Sequence, residues 1–496
     1  MNTIPSHRTA RALLAITLPL WLAACAVPSP AARVEAPTPA GWQAPLPHHG
    51  SVADIARWWE RAGDPLLAEL IAAAQDISPS VAQARGRLAQ ARASRVSARA
   101  ALLPSLDGQA SASRGVNEQV GGLATTGQAA LQASWEVDLF GGNAAANEAA
   151  LQRLAGAQAQ WHEARVSVAA EVANQYSSWR QCLALAEVAA SDAASRSQTA
   201  RLSGQSEQAG FTAPATLALA QASEAEGRVR AEQQRMACEI DLKTLVALTG
   251  TDESALRTRA AAAPPAPVPD ALFAIDALPA RVLAQRPDVY AAEREVAATS
   301  ADVGSARAQR LPRLTLSGSV GRGWVRTGGA TLDSNTWSIG PVGLSLPIFD
   351  AGRRAAQVDS AEAQYDAAVQ QYRGTVRQAV SEVEQALVRL ASTAARSTDA
   401  QRAAEGYRTS FTATEARWRG GLASLVELED SRRTALASES ALINLRQERM
   451  AAWIGLYRAA GGGWEAEATP QAAAAAPMPP STAAAAAPAA SASTAR

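Results

Sequence analysis

Apolar positions recur with two different spacings along this chain, and each spacing occurs in both halves of it. Val369, Val376, Val383 and Leu390 follow a heptad, with Val380 and Leu387 between them, the pattern of a coiled-coil seam. Trp161, Val168, Val172, Trp179 and Leu183 form a looser seam earlier in the chain. Elsewhere the period is two. Leu106, Ala110 and Ala112 alternate with Asp107, Gln109, Ser111 and Ser113. Ala129, Leu131, Ala133, Trp135 and Val137 alternate with Gln132, Ser134, Glu136 and Asp138. Leu314, Leu316 and Val320 alternate with Thr315, Ser317 and Ser319. One apolar and one polar face at period two predicts a half-buried strand. A fourth candidate strand, near residues 336–346, has apolar residues on both faces, so its orientation stays open.

These patterns belong to a duplication with an offset of about 210 residues. Ser97-Ala98-Arg99 with Leu103-Pro104-Ser105-Leu106 is matched by Ser305-Ala306-Arg307 with Leu311-Pro312-Arg313-Leu314. Asp138-Leu139-Phe140-Gly141 is matched by Pro347-Ile348-Phe349-Asp350, and Gly210-Phe211-Thr212 by Gly421-Leu422-Ala423. Gly250 and Gly461 close the two copies.

Each copy reads as helix, strand, loop, strand, long helix, turn, helix. The first has a helix over 79–102 stopped by Pro104, strands near 106–114 and 128–138, and a long helix over 143–207. Gly210 and Pro214 break it, and another helix runs to 248. The second has a helix over 288–310, strands near 313–324 and 336–346, a long helix over 353–419, a turn at Gly420-Gly421 and a helix over 424–459. A helix of about 65 residues is roughly 100 Å long, too long for a compact domain. The two shorter helices of each copy together nearly equal the long one. They are expected to stack end to end beside it, with 251–279 and the stretch after Gly461 outside, around the waist.

Strands of about 10 residues fit a tilted bilayer crossing, with apolar faces toward lipid and polar faces toward water. Trp324 and Trp337 bracket the second loop, where an interfacial aromatic girdle belongs. Four strands cannot close a barrel, which needs about eight, and lipid does not tolerate open sheet edges. Two, three or four copies would supply about 8, 12 or 16 strands, and the larger two suit a conduit.

Composition narrows the class. The 496 residues carry zero formal net charge, which gives no reason to expect nucleic acid. Aromatics are only 5 % and alanine is abundant, which suits long, closely packed helices. Basic charge is nearly all arginine, with Lys243 the sole lysine, and no function attaches to that. His48 and His49 lack further ligands nearby, so no metal is expected. Trp58 and Trp59 read as packing for an N-terminal helix. No phosphate loop and no nucleophile–base motif occurs, so neither an enzyme nor a cofactor is expected.

Arg8 and Arg11 precede a short apolar run over 12–22, too short to span a bilayer. Leu22-Ala23-Ala24-Cys25 resembles a bacterial lipobox, which implies that Cys25 is lipidated with palmitate-type chains and becomes the mature N-terminus. The alternative is an ordinary signal peptide with an incidental cysteine. Ala26 in place of an aspartate implies outer-membrane sorting. No other stretch is apolar for about 18 residues, so any span must be a β-barrel. The expected organisation is a signal peptide (1–24), an anchored linker and N-terminal helix (25–63), a first repeat (64–250), an equatorial linker (251–279), a second repeat (280–465) and a disordered Ala/Pro-rich tail (466–496). Cys182 and Cys238 lie at nearly equal chain distances from the turn near Phe211, on opposite arms of an antiparallel hairpin. An oxidising periplasm favours a disulfide over two free thiols in packing positions.

Several motifs together resemble the TolC-like outer-membrane efflux channels, in their lipoprotein (NodT/OprM-type) branch. They are Asp64-Pro65 with Leu70-Ile71, Arg286-Pro287-Asp288-Val289 with Ala292-Glu293, and Trp135-Glu136-Val137-Asp138-Leu139-Phe140-Gly141. Pro347-Ile348-Phe349-Asp350-Ala351-Gly352-Arg353 and the ending Leu456-Tyr457-Arg458-Ala459-Ala460-Gly461-Gly462-Gly463-Trp464 complete the set. The resemblance implies an α+β membrane fold: a long-helix periplasmic α-barrel continuous with a transmembrane β-barrel, four strands per chain, shared by a homotrimer. It also implies outer-membrane lipid around the barrel and docking to a periplasmic adaptor (membrane fusion protein) and an inner-membrane pump. A periplasmic adaptor without a pore is the competing class, but it has one hairpin where this chain has two. By the resemblance, the hairpin tips at Gly210 and Gly421 form the closed end, and Glu427 and Asp430 line its constriction. Trp418 and Arg417 or Arg419 take the places of gate-holding partners. The family commonly has tyrosine at the Trp418 position, so a phenolic hydrogen bond is missing here. The competing reading makes Glu427 and Asp430 a solvated helix face beside Arg432 and Arg433.

Overall fold

The computed structural model describes residues 27–38, 42–43, 64–117, 122–262, 283 and 286–464. Cys25, His48, His49, Trp58, Trp59 and the 466–496 tail lie outside the described residues. The first half contains α1 (Pro65–Ile77), α2 (Pro79–Ala100), β1 (Ser105–Asn117), β2 (Gly122–Val137), α3 (Gly142–Gln208), α4 (Pro214–Thr249) and α5 (Glu253–Ala262). The second contains α6 (Pro287–Ala308), β3 (Arg313–Thr327), β4 (Ala330–Ser345), α7 (Arg353–Arg419) and α8 (Leu425–Ala459). Proline opens α1, α2, α4 and α6, where its missing N–H costs nothing.

The duplication is exact in length where it matters. Both α3 and α7 have 67 residues, so each is roughly 100 Å long. Leu88 of α2 packs on Leu154 and Ala157 of α3, while Cys238 of α4 meets Cys182 farther along the same helix. The two short helices thus follow one another along the long one. Small residues allow close approach. Ala149, Ala298 and Ala301 form a cluster of their own, and Gly227 of α4 lies against Ala193 and Arg196 of α3.

Val369, Val376, Val383, Leu387 and Leu390 are buried, and Val380 is half-buried. In the first copy Val168, Val172 and Trp179 are buried, but Leu183 is exposed. Cys182, three residues after Trp179, takes the inward position instead. The main core lies at the waist, where Val172, Tyr176 and Trp179 of α3 meet Leu242 and Leu245 of α4, Leu387 and Leu390 of α7, and Trp453 and Leu456 of α8. The segment after α4 contributes to it, since Leu256 of α5 is fully buried there. Arg286 explains one sequence motif. Its guanidinium donates to the Ala459 carbonyl (3.0 Å), to Asp288 (2.6 Å) and to Glu382 (2.8 Å), which ties α6, α7 and α8 together.

Among the described residues the strands form one antiparallel sheet in the order β1-β2-β3-β4. All four are longer than the alternation predicts. The ambiguity of β4 is removed by a bulge. Leu316 pairs with Val342 but Gly318 pairs with Ile339, so β4 holds one extra residue at Gly340-Pro341. An extra residue inverts the alternation. Trp337 and Ile339 above the bulge therefore share a face with Val342 and Leu344 below it. That face continues through Leu314, Leu316 and Val320 of β3 and Leu131, Trp135 and Val137 of β2. The opposite face is polar, with Ser113–Thr126 (2.7 Å) and Ser319–Ser338 (2.8 Å) hydroxyl pairs across neighbouring strands. Among the described residues no helix is long and apolar enough to cross a membrane.

Candidate gate at the hairpin tips

The ends of α3 and α7 remote from the sheet turn in the same way. Gly210 (φ +77°) and Gly421 (φ +75°) adopt the left-handed conformation that glycine alone adopts without strain. Phe211 N–H then donates to the Ser206 carbonyl (2.9 Å), and Leu422 N–H to the Arg417 carbonyl (2.8 Å). Both are Schellman stops, which satisfy the orphan carbonyls of the helix end. The returning helices start differently: α4 with Pro214, α8 with a capping box in which Ser424 and Glu427 each accept from the other's backbone N–H.

That box employs one of the anticipated gate residues. The Glu427 carboxylate accepts from Ser424 N–H at 2.7 Å, and the Ser424 hydroxyl accepts from Glu427 N–H at 3.1 Å. These backbone and hydroxyl contacts, with Arg417 adding to them, hold the exposed Glu427 carboxyl below its ordinary value. Asp430 stands nearly one turn later, exposed and ion-paired with Arg433. Arg417 donates to the Leu422 carbonyl (3.2 Å) and Arg419 pairs with Glu415 (3.0 Å). Trp418 packs with Phe411 against Leu425, Leu428, Ala200 and Ala220, an apolar contact that joins both hairpins. Within the chain, Glu427 and Asp430 do not meet Trp418 in one latch. The disulfide pair is joined in the structure, with Cys182 and Cys238 Cα atoms 5.3 Å apart.

A second group of charges sits just above the tips, and here the reading of Arg432 as a solvated neighbour is corrected. Arg433 is exposed, but Arg432 is 1 % exposed. Leu425, Leu428, Arg432 and Ala435 are all buried at steps of three and four, so Arg432 occupies a seam position of α8. It donates to Ser195 (3.2 Å) and Thr199 (3.0 Å) of α3, pairs with Glu429, and lies 5.5 Å over the Phe411 ring. Facing it, Asp192, Arg196, Thr199 and Ser203 form the buried stripe of α3. Arg196 pairs with Asp192 (2.9 Å) and with Glu429 (2.8 Å), and Glu429 also accepts from Ser223 of α4 (2.8 Å). Burial pulls Arg432 below the usual arginine value and nearby Arg196 does the same, against the opposing pull of Glu429 and Asp192. Two arginines and two carboxylates therefore neutralise each other inside a contact between hairpins. The signal was present in the sequence as charges at seam spacing. What stands opposite that seam position, on α3, is not a property of the α8 sequence.

Paired 67-residue helices continuous with a sheet of amphipathic strands, apolar on one face and polar on the other, define a channel protein of an outer membrane. The sequence matches the outer membrane efflux protein family over residues 70–251 and 278–462, and the chain belongs to that family. It is 31 % identical over 491 residues to the pyoverdine export outer membrane protein OpmQ of Pseudomonas putida, covering 94 % of this chain and 99 % of the relative. It is 31 % identical to the outer membrane protein OprJ of Pseudomonas aeruginosa over 91 % of this chain and 95 % of that one. The solved outer-membrane channel OprN superposes with a TM-score of 0.77 at 26 % identity, covering 89 % of this chain and 99 % of that one. The Campylobacter jejuni CmeC channel shares the fold, with a TM-score of 0.76 at 22 % identity over 90 % of this chain and 97 % of its own. The chain is accordingly an outer-membrane efflux channel component.

Proposed function

We propose that three copies of the chain close a twelve-stranded barrel and form a passive, gated conduit. It receives cargo from a periplasmic adaptor and an inner-membrane pump and carries out no chemistry of its own. The carrying observation is the sheet order β1-β2-β3-β4, whose outer edges on β1 and β4 have no strand beside them among the described residues. Open edges are not stable in lipid, so β1 of one copy must pair with β4 of the next. Three copies leave a water-filled lumen lined by the serine, threonine and glutamine face. Relatives are named for pyoverdine export and for solvent efflux, cargoes with little in common. A polar lumen suits a duct whose selectivity lies in its pump.

In this reading the hairpin tips are the closed end. Glu427 and Asp430 from three copies ring the opening, and the Arg196–Glu429–Arg432–Asp192 cluster holds the two hairpins of each copy together. Cys25 carries the lipid anchor. Arg307 of α6, close to the start of β3, donates to the Pro28 carbonyl (2.6 Å), and Ser300 donates to that of Pro30 (2.7 Å). Pro28 and Pro30 thus lie against the sheet-proximal part of α6, which supports an anchor a few residues upstream in the chain. The test is an SDS-resistant, heat-modifiable trimer that conducts ions in planar bilayers, with conductance rising in E429Q. Monomers, or trimers silent even with the cluster broken, would overturn it. Loss of palmitate labelling in C25A, with the trimer retained, tests the anchor separately.

A further inference from the structure

The apolar face of the sheet changes character near its hairpin turns. Arg322, Trp324 and Arg326 alternate with Gly323 and Val325 on β3, and all three are more exposed than those neighbours. They continue the face that Val320 begins. Arg114 of β1 joins them: it pairs with Thr125 of β2, and Thr125 pairs with Arg326, so Arg114 and Arg326 share one row and one face. Neighbouring strands are about 4.8 Å apart, so the two backbones stand about 10 Å apart across β2. Arg322 lies on the same face of β3, about 13 Å along the strand from Arg326.

The turns point away from the helices, because α2 enters β1, α3 leaves β2, α6 enters β3 and α7 follows β4, all at the opposite end. With the helices in the periplasm, this arginine row lies at the outer surface of the membrane. Charge on a lipid-facing strand is costly at the midplane and tolerated at the interface. Trp324 marks that interface, its ring seated directly over Gly127 of β2. The only carboxylate on the same face among the described residues of the sheet is Asp333, and it is held by Arg322. Arg114 and Arg326 have no ion-pair partner among the described residues. Arginine binds phosphate oxygens through two parallel N–H donors, which lysine cannot do.

We propose that Arg114, Arg322 and Arg326 form a lipid site that binds the phosphate groups of the glycolipid in the outer leaflet. The proposal rests on the outer-membrane barrel. The full chain, purified in detergent, is incubated with bisphosphorylated lipid A, with the same lipid after enzymatic dephosphorylation, and with phosphatidylglycerol, and bound lipid is counted by native mass spectrometry. At least tenfold preference for the phosphorylated glycolipid is expected, lost in R114Q/R322Q/R326Q and reduced in R114Q and R326Q alone. Equal retention of the dephosphorylated lipid or of phosphatidylglycerol, or undiminished binding by the triple variant, would overturn it. The comparison of lipids needs no variant, so it decides even if the triple variant does not assemble. Heat-modifiability and conductance measured on the same samples separate failure of this site from failure of the barrel.

Discussion

Arg196 on α3 and Glu429 on α8 form an ion pair of 2.8 Å that crosses from the first hairpin to the second. Their side chains are only 5 % and 18 % exposed. Such a pair is a poor source of net stability, because desolvation offsets much of the attraction. It is a good latch, because removing one partner strands the other. Replacing Asp192 or Arg196 by a neutral isostere is expected to cost about 3–5 kcal/mol, read as a fall in thermal midpoint. E429Q, at a more exposed position, should cost less and should raise single-channel conductance. A variant that unfolds earlier but conducts no better would make the cluster a purely structural one.

The bridge between Cys182 and Cys238 encloses the whole tip of the first hairpin, with a sequence separation of 56. The positions one repeat later are Thr393 and Arg449, so the second hairpin has no counterpart. Loop-closure entropy predicts that C182S/C238S loses about 4 kcal/mol. Thermal unfolding with and without reductant measures it: reductant should lower the wild-type midpoint and leave the double variant unmoved.

Acid should loosen the second tip. The Glu427 carboxyl is lowered from 4.5 by the Ser424 backbone and hydroxyl contacts and by Arg417. A lowered carboxyl stabilises the fold above its ordinary value, and that contribution disappears as pH falls through the lowered one. Hydrogen exchange at the amides of residues 424–428, corrected for intrinsic rates, should therefore accelerate between pH 6 and pH 3. E427Q should exchange faster at pH 6 and lose most of that pH dependence.

Gly127 and Trp324 form a cross-strand unit. A Cβ on Gly127 would stand 2.5 Å from the Trp324 ring, so G127A must expel the indole from its seat. The temperature at which the oligomer dissociates on gels should fall in G127A and in W324A. The double variant should fall no further than W324A, since residues in contact do not add. Additive losses would mean that the two act independently.

Much of the fold was legible because period and length are local properties. The heptad through Val369, Val376, Val383 and Leu390 needed only the sequence, and so did the stops at Gly210 and Gly421. The repeat doubled the evidence for each element. The orientation of β4 was not legible from alternation alone, since one extra residue at Gly340-Pro341 inverts every later side chain; the Gly-Pro pair is the only mark it leaves in the sequence. At the candidate gate, the residue that the resemblance places at the constriction, Glu427, also caps its helix, because a capping box and a channel ring use the same residue type at the same place.

By itself, then, the sequence determined the two-copy plan, two long helices of about 65 residues, the faces of three of the four strands and the arms on which the cysteines lie. Those follow from repeated spacing, which each segment carries independently of its neighbours. Only the tertiary structure decided that Arg432 is buried and Arg433 exposed, and that Asp192 and Arg196 of α3 come to face it beside Glu429 of its own helix. Burial of a charge depends on what stands opposite, and the opposite side chains come from a helix more than 200 residues away.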